Sequence, residues 1–321
     1  MLRVFVVVFM LLGGIAGSHA GQKLTVGHTG VGVSPTLFAA NAFVADLKRR
    51  LPGRFTIDDR GGSTRGGDVN IWDGVKVGAI DMAIIATPSI VSFVPELGVL
   101  DVPFLFRDPA HVTKVLDGPI GKDLGAKINS QGVVFLGFAD YGFRQFTNSK
   151  RAIHSPADLA GLKIRVIKNP VMEMIFKTLG AEPVPLPFPD IYGALDDGRV
   201  DGQENPLPTI AAYQFDRVQK FVSLSAHIFT PLIIMINADT YKGLKADEQA
   251  AIQAAARAAT VATRQAVLEN EKSIVAGFKQ RGIVVTDTVD RDAFIAALKP
   301  LQPEWDKRFG AYLLKRIADA K

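Results

Sequence analysis

Apolar and polar positions in the first two thirds of the chain follow patterns typical of alternating strands and helices. Residues 23–26 predict a short strand, and Ser34 with Pro35 predicts the start of a helix. Apolar side chains then recur at spacings of three and four, at Leu37, Ala40, Phe43, Leu47 and Leu51. Residues 55–58 predict the next strand. A strand–helix–strand unit of this length implies a parallel sheet.

The pairing of a capping residue with a proline recurs at Asp108-Pro109, Ser155-Pro156 and Asn169-Pro170. Proline suits the first helical turn because the backbone N–H that it lacks would have no partner there. Further strands are predicted at residues 81–85, 133–139, 162–167 and 229–236. These alternating elements predict an α/β fold.

The last third of the chain has a different pattern. Residues 246–281 contain no proline, are rich in alanine, and end at Gly282, so they predict one helix of roughly 54 Å. A helix of that length can run across two lobes. A final helical region begins at Asp290 and is interrupted near Pro300 and Pro303.

The N-terminus predicts a cleaved signal peptide. Arg3 precedes an apolar run over residues 4–12, and Ser18-His19-Ala20 supplies small residues before a cut after Ala20. The run is too short for a membrane span, which needs roughly 20 residues. Because the chain has no cysteine, neither disulfides nor a lipid anchor at the cleavage site are expected. The mature chain is long enough for two domains.

Charge and composition exclude several classes of function. The formal net charge is +5, and acidic and basic residues are interspersed rather than grouped into the basic stripe of a nucleic-acid binder. The mature histidines show no metal-ligand spacing. Residues 61–65 lack the second glycine of a nucleophile elbow. The carboxylates at positions 196, 197, 201 and 204 stand near glycines and are interpreted as solvated loops.

A glycine-rich turn at residues 27–32 is the strongest signal for a cofactor. It follows the first strand and precedes a helix, as in a dinucleotide-binding unit. However, Pro35 stands where the third glycine belongs, and an exported chain has little access to nicotinamide cofactors. The glycines are therefore interpreted as a close backbone turn, and no cofactor is predicted.

Two arginines fall where apolar strands are predicted. Arg165 lies within the strand at residues 162–167, and Arg144 follows the strand at residues 133–139. A buried guanidinium needs an anionic partner, because an unpaired buried charge costs several kcal/mol. That partner is either an internal Asp or Glu, which physics alone slightly favours, or a ligand carboxylate.

Several segments together resemble one family. Two segments are similar to signature segments of the TRAP-transporter solute-binding proteins, the DctP family. The first is residues 161–166, Gly-Leu-Lys-Ile-Arg-Val. The second is residues 192–206, which contain the sequence Asp-Gly-Arg-Val-Asp-Gly-Gln-Glu-Asn. Residues 78–83, 101–106 and 142–148 support the match, which covers essentially the whole mature chain.

The resemblance implies a two-lobed periplasmic-binding-protein fold with a ligand cleft between the lobes and a long helix crossing both. The lobes are expected at residues 21–142 plus about 231–270, and at 143–230 plus about 271–321. Arg165 would pair with a ligand carboxylate, and Arg144 and Asn205 would reach the same ligand. Further expected contacts are Thr29, Asp68, Thr87, Pro88 and Phe188, with Thr87 and Pro88 at the cleft mouth.

The function implied by the resemblance is binding of an organic acid in the periplasm and delivery to the subunits of a TRAP permease. The protein is expected to be a monomer and not an enzyme, with no metal, cofactor or nucleic-acid partner. The alternatives are a binding protein for another transporter, or a sensor; a periplasmic enzyme is the least favoured, because no nucleophile, metal set or acid–base pair emerges from the sequence.

Overall fold

The computed structural model describes residues 21–320, so the predicted signal peptide lies outside the described residues. Ten strands form in this part of the chain: β1 (Gln22–His28), β2 (Phe55–Arg60), β3 (Met82–Ala86), β4 (Val133–Asn148), β5 (Lys163–Val166), β6 (Glu182–Pro185), β7 (Gly202–Pro206), β8 (Phe221–Ser223), β9 (Phe229–Asn237) and β10 (Val284–Thr286).

Twelve α-helices accompany the strands: α1 (Pro35–Arg50), α2 (Asp68–Lys76), α3 (Pro109–Leu116), α4 (Pro119–Asn129), α5 (Pro170–Thr178), α6 (Ile191–Asp196), α7 (Leu207–Ala212), α8 (Ala238–Lys242), α9 (Ala246–Gln280), α10 (Arg291–Leu298), α11 (Gln302–Phe309) and α12 (Ala311–Ala318). Short 3-10 turns include Thr87–Ile90, Pro95–Asp101 and Pro156–Leu159.

Three of the four predicted cap–proline starts begin α-helices. Ser34, Asp108 and Asn169 each accept a backbone N–H of the first turn of α1, α3 and α5. The fourth start is different, because Ser155 caps the 3-10 turn Pro156–Leu159 instead of an α-helix. The local signal therefore located the start correctly but not the type of helix.

The strands form one sheet in the order β2-β1-β3-β9-β4-β7-β5-β6, with β8 on β4 and β10 on β8. β1 is parallel to β2 and β3, and β5 is parallel to β6 and β7. β4 belongs to both groups, since it pairs with β9 through Phe143 and with β7 from Arg144 onward. We call the group of β1, β2, β3, β9 and the start of β4 the first lobe, and the group of β5, β6, β7 and the end of β4 the second lobe.

The long helix α9 joins the two groups. Its first half places Ile252 and Ala259 in an apolar cluster with Phe43 of α1 and Ile234 of β9. Its last turns place Phe278 in a second cluster with Ile191 and Phe215. At 35 residues it is about 52 Å long. The predicted α/β, two-lobed architecture with a helix crossing both lobes is confirmed.

The partner exchange of β4 falls directly after the predicted lobe boundary at residue 142. The last helices contribute Phe294, Trp305 and Ile317 to the largest apolar cluster, which also contains Trp72 next to β3 and Val166 of β5. These helices therefore pack against residues of both lobes. The full division of the chain into lobes stays a prediction.

Candidate binding cleft

A cavity of about 270 Å³ lies between the two lobes. Asp68 and Ser89 line it from elements that border β3, and Tyr141 lines it from β4. Five residues expected to contact a ligand border this one cavity: Asp68, Arg144, Arg165, Phe188 and Asn205. Sites for drug-sized ligands begin at about 300 Å³, so a cavity slightly below that volume suits a smaller molecule.

Arg165 reaches the cavity from β5, where its neighbours Ile164 and Val166 are wholly buried. Its Nε and Nη2 atoms both donate to the carbonyl oxygen of Leu186, at 3.0 and 2.6 Å. Its Nη1 atom is buried and has no hydrogen-bond partner. Among the described residues no carboxylate lies within ion-pair distance of this guanidinium. The Nη1–Nη2 edge is therefore left for a partner from outside the chain.

The electrostatics of Arg165 agree with this geometry. Burial lowers the pKa of Arg165 to about 10, so the side chain is still a cation at neutral pH. The neighbouring charge of Arg144 lowers that pKa further, and the carboxylate of Glu204 opposes the effect. A buried cation held in this way is stabilised by any anion that enters the cavity.

Arg144 has the opposite situation. It is wholly buried and forms a bidentate ion pair with Glu204, in which Nη2 lies 2.8 Å from Oε1. Nη2 also donates to the Glu204 carbonyl oxygen at 2.6 Å, and Nη1 donates to Thr230 Oγ1 at 3.3 Å. Burial alone would lower the pKa of Arg144, but the Glu204 carboxylate outweighs it and holds that pKa above its ordinary value.

The sequence left open whether each arginine pairs with an internal carboxylate or with a ligand, and the structure shows that the two arginines differ in this respect. Arg144 has an internal carboxylate, whereas Arg165 has none within the described chain. The interpretation of Glu204 as a solvated loop residue is wrong, because Glu204 lies in β7 and is wholly buried. The flanking glycines misled that interpretation, since Gly202 is itself the first residue of the strand.

Asn205 follows Glu204 on β7 and is buried. Its Oδ1 accepts from Arg144 Nη2 at 3.2 Å, and its Nδ2 donates to Gln203 Oε1 at 2.5 Å. These two bonds fix which way the amide faces. Arg144 borders the cavity, and its hydrogen bond orients the side chain of Asn205 there.

Asp68 is the first residue of α2 and faces Arg165 from the first lobe. Its Oδ2 accepts from the backbone N–H of Ala86 at 3.1 Å and from the hydroxyl of Ser89 at 3.0 Å. Its Oδ1 is buried and has no partner. Burial raises the pKa of Asp68, and the hydrogen bonds from Ala86, Ser89 and the Thr29 side chain, together with the charge of Arg165, oppose that shift.

The other expected contacts are placed less uniformly. Phe188 lines the cavity half-buried, with its ring edge-to-face against Tyr213 at 4.6 Å between centroids. Thr29, Thr87 and Pro88 are buried but are not among the residues that line the cavity. Thr87 and Pro88 begin the 3-10 turn after β3, and their contact with a ligand at the cleft mouth stays a prediction.

Several lining groups were missed among the candidate contacts, including Tyr141, Ser89, Lys168 and the carbonyl of Leu186. Burial raises the pKa of Tyr141 to about 12, so it is a neutral hydroxyl in the cleft. Ser89 could have been found, because it follows the Thr-Pro pair at the end of an apolar strand. The role of Leu186 gave no sequence signal, since a backbone carbonyl acts regardless of its side chain.

Two further features of the described residues bear on other kinds of site. Between residues 21 and 320, no cluster of three or more His, Asp or Glu side chains is arranged to hold a metal ion. In the same part of the chain, no helix is both long and apolar enough to cross a membrane.

The fold and the cleft define a two-lobed solute-binding protein. The chain belongs to the DctP family: the model of this family, described as bacterial extracellular solute-binding protein, family 7, matches residues 26–308. The 2,3-diketo-L-gulonate-binding periplasmic protein YiaO of Escherichia coli is 37% identical over 281 residues, which cover 88% of this chain and 86% of that protein. The family is periplasmic.

Solved structures agree with this assignment. A TRAP periplasmic solute-binding protein from Polaromonas, bound to D-erythronate, is 35% identical with a TM-score of 0.91, covering 94% of this chain and 99% of that one. A sugar-acid-binding protein from Advenella mimigardefordensis, in complex with galactonate, is 30% identical with a TM-score of 0.89, covering 94% and 97%. These relatives are binding proteins and not enzymes, which confirms that prediction.

Proposed function

We propose that this protein binds a small organic acid in the cleft between its lobes and delivers it to a TRAP-type permease. The observation that carries the proposal is the Nη1 atom of Arg165, a buried cationic donor without a partner in the described chain. A carboxylate is the ligand group that matches a guanidinium edge, because its two oxygens can accept two parallel N–H bonds.

The geometry restricts how the acid would be held. Leu186 occupies Nε and one hydrogen of Nη2, which fixes the plane of the guanidinium. One hydrogen of Nη1 and one of Nη2 remain on the Nη1–Nη2 edge, where one carboxylate can bind in the bidentate manner. Asn205 would add a hydrogen bond from the same lobe, since it borders the cavity and is held in one orientation.

The relatives support an acid as the ligand. The Escherichia coli protein is named for 2,3-diketo-L-gulonate, and the two solved structures hold erythronate and galactonate. All three are carboxylates at neutral pH. We extend this class of ligand to the present chain, together with removal of residues 1–20 on export, a monomeric state, and capture of the released acid by the membrane subunits of a TRAP permease.

Replacing Arg165 by alanine tests the anchor. Removing one partner of a desolvated charge pair is expected to cost about 2–5 kcal/mol of binding, a loss of about 30-fold or more in affinity. The measurement is calorimetric titration of residues 21–321, stripped of carried ligand by unfolding and refolding, with the acids that raise its melting temperature.

Lys163→Ala is the matched control, because Lys163 lies on the same strand but is exposed. We expect the control to bind as the unaltered protein does. Equal affinity of the Arg165→Ala variant, or a ligand found only among neutral sugars, would contradict the proposed function.

A further inference from the structure

The glycine-rich turn at residues 27–32 lies against the second lobe. The hydroxyl of Tyr213, which directly follows α7, donates a hydrogen bond to the backbone carbonyl of Thr29. The two backbones approach each other beside this bond, because a Cβ at Gly32 would lie 3.8 Å from the carbonyl oxygen of Ala212. The turn follows β1 of the first lobe, whereas α7 follows β7 of the second. The two lobes therefore touch directly at this edge of the cleft.

We infer that the Tyr213 hydroxyl and the Thr29 carbonyl form a latch that favours the closed arrangement of the lobes, and that His28 is the positioning residue of this latch. Neither Tyr213 nor Thr29 is among the residues that line the cavity, so the latch acts in the same way on every acid that the cleft binds. The inference rests on the proposed function, since it assumes that the lobes close on an acid held by Arg165.

Packing of aromatic rings holds the donor of the latch in place. The Tyr213 ring stacks on Phe215 with 5.8 Å between centroids, and it meets Phe188 edge-to-face. Burial raises the pKa of Tyr213 far above its ordinary value, so the hydroxyl keeps its proton. Because the neighbouring rings already restrict the side chain, the hydrogen bond forms with little further loss of conformational entropy.

His28 holds the turn that carries the acceptor. Its Nδ1 accepts from the backbone N–H of Gly30 at 3.1 Å, and its Nε2 lies 2.9 Å from Oδ1 of Asp59 on β2. The ring is wholly buried, and a Cβ at Gly61 would lie 2.5 Å from it, so the loop after β2 closes over the ring. Because Thr29 stands between His28 and Gly30, these bonds fix the direction of its carbonyl.

The hydrogen bonds of His28 require a neutral ring. Since the Gly30 N–H donates to Nδ1, the single ring proton lies on Nε2 and faces Asp59. Burial lowers the pKa of His28, and the charge of Asp59 and its hydrogen bond oppose that shift. Among the described residues, Asp59 on β2 is the charged group that faces the ring, and the neighbour on β3 is the apolar Ile84.

Acid pH is therefore expected to weaken the latch. A second proton on the His28 ring would go to Nδ1, where it would point at the Gly30 N–H and push the turn out of position. Because the pKa of His28 lies below 6.5, this loss begins below that pH and grows as the pH falls. Asp68 also titrates near the turn, since its carboxyl accepts from the Thr29 side chain, so the pH dependence is compared between variants that all retain Asp68.

The variant Tyr213→Phe removes the hydroxyl of the latch and keeps the ring. The measurement is calorimetric titration of the stripped mature chain, residues 21–321, with erythronate, galactonate and succinate at pH 7.5. We expect the affinity for each acid that binds to fall by the same factor, about three- to tenfold, because one hydrogen bond that favours closure is lost. Tyr312→Phe is the matched control, since Tyr312 is exposed on α12, and it should bind as the unaltered protein does.

The variant His28→Asn tests the positioning residue. The amide oxygen of asparagine can accept from the Gly30 N–H as Nδ1 does, but the amide does not take up a proton in this pH range. The affinity for whichever of the three acids binds most tightly is measured at pH 7.5 and at pH 5.0. Over this range we expect the unaltered protein to lose about threefold or more affinity relative to the variant. In the Tyr213→Phe background, His28→Asn should leave the pH profile unchanged, since the latch is already absent.

The outcomes separate this inference from the proposed function. If Tyr213→Phe binds every acid as tightly as the unaltered protein, or loses affinity for two acids by different factors, the inference is overturned while the anchor at Arg165 stands. If His28→Asn keeps the pH profile of the unaltered protein, His28 is not the positioning residue. If His28→Asn does not fold, the profile of Tyr213→Phe decides, and it should be flatter than that of the unaltered protein. If none of the three acids binds, both the inference and the proposed function fail.

Discussion

Asp101 shows at the scale of one residue how burial sets the chemistry of this fold. It is wholly buried, and its Oδ2 accepts from Asn169 Nδ2 at 2.7 Å while its Oδ1 has no partner. Burial raises the pKa of Asp101 to about 7, although the hydrogen bond from Asn169 and the charge of Arg144 lower it. The folded protein therefore holds a proton at Asp101 that the unfolded chain releases at a lower pH.

This shift makes stability depend on pH with a definite sign. The unfolded carboxyl has a pKa near 3.8, so between about pH 4 and 7 the folded state binds one more proton. The contribution of Asp101 to the free energy of unfolding is therefore full below pH 4 and is lost as the pH rises to 7.

Asp101→Asn removes this titration with little change in shape. Relative to the unaltered protein, the variant should gain stability between pH 5 and pH 8, by up to about 3 kcal/mol at the upper end. Urea unfolding at both pH values measures the difference. A difference that is the same at pH 5 and pH 8 would show that Asp101 does not take up the proton.

Residue identities predicted only part of the cleft, and the two arginines show why the rest could not be predicted. An arginine in an apolar strand requires an anion, and that requirement was predicted for both. Which one pairs internally depends on the register of β4 and β7, where Arg144 stands opposite Pro206 and beside Glu204. Register between strands some 60 residues apart along the chain is not encoded in the local pattern.

The start of α5 is an element that connects the lobes. Asn169 caps this helix through Oδ1, which accepts from Val171 N at 2.9 Å. Its Nδ2 donates to the carbonyl of Pro88 at 3.2 Å and to Asp101 at 2.7 Å. Pro88 follows β3 of the first lobe, whereas α5 follows β5 of the second. One side chain thus caps the start of a helix and bridges the two lobes.

Asn169→Ala should therefore have two effects. Loss of the cap costs about 1 kcal/mol of stability, and loss of the bridge should also change the affinity for the acid. Asp108→Ala is the matched control, because Asp108 caps α3 through His111 N at 2.8 Å but does not line the cavity. Thermal unfolding and calorimetric titration measure the two effects. If both variants leave affinity unchanged, Asn169 is only a cap.

Elements with a strong local signal were predicted well, and β4 shows where that signal fails. The long helix α9 ends one residue before its predicted end, because 35 residues without a proline leave few alternatives. β4 was predicted over residues 133–139 but continues to Asn148. The second half of this strand lacks the alternation of apolar and polar positions, because the buried polar side chains of Arg144 and Gln145 form hydrogen bonds within the protein.

Register irregularities in β4 add to that difficulty. The pairing with β9 shifts between Phe135 and Gly137, and again between Asp140 and Gly142. Each shift changes which side chains face the core. Gly142 has a φ of +121°, and a Cβ there would lie 3.2 Å from Pro206. The second shift therefore needs glycine, and it directly precedes the residues that reach the cleft.

At the scale of the whole molecule, the cleft is built from both lobes. Asp68 comes from the helix next to β3, and Arg165 comes from β5. The hydroxyl of Tyr213, beyond β7, donates to the carbonyl of Thr29 at the end of β1. An acid held at one end by Arg165 and at the other by Asp68 would bridge the lobes, so it would stabilise the closed arrangement over an open one.

A crystal structure of residues 21–321 with erythronate tests the central claim most directly. Our account predicts the ligand carboxylate within hydrogen-bond distance of Arg165 Nη1, with Arg144 still paired to Glu204. A carboxylate bound away from Arg165, with Nη1 still lacking a partner, would contradict it.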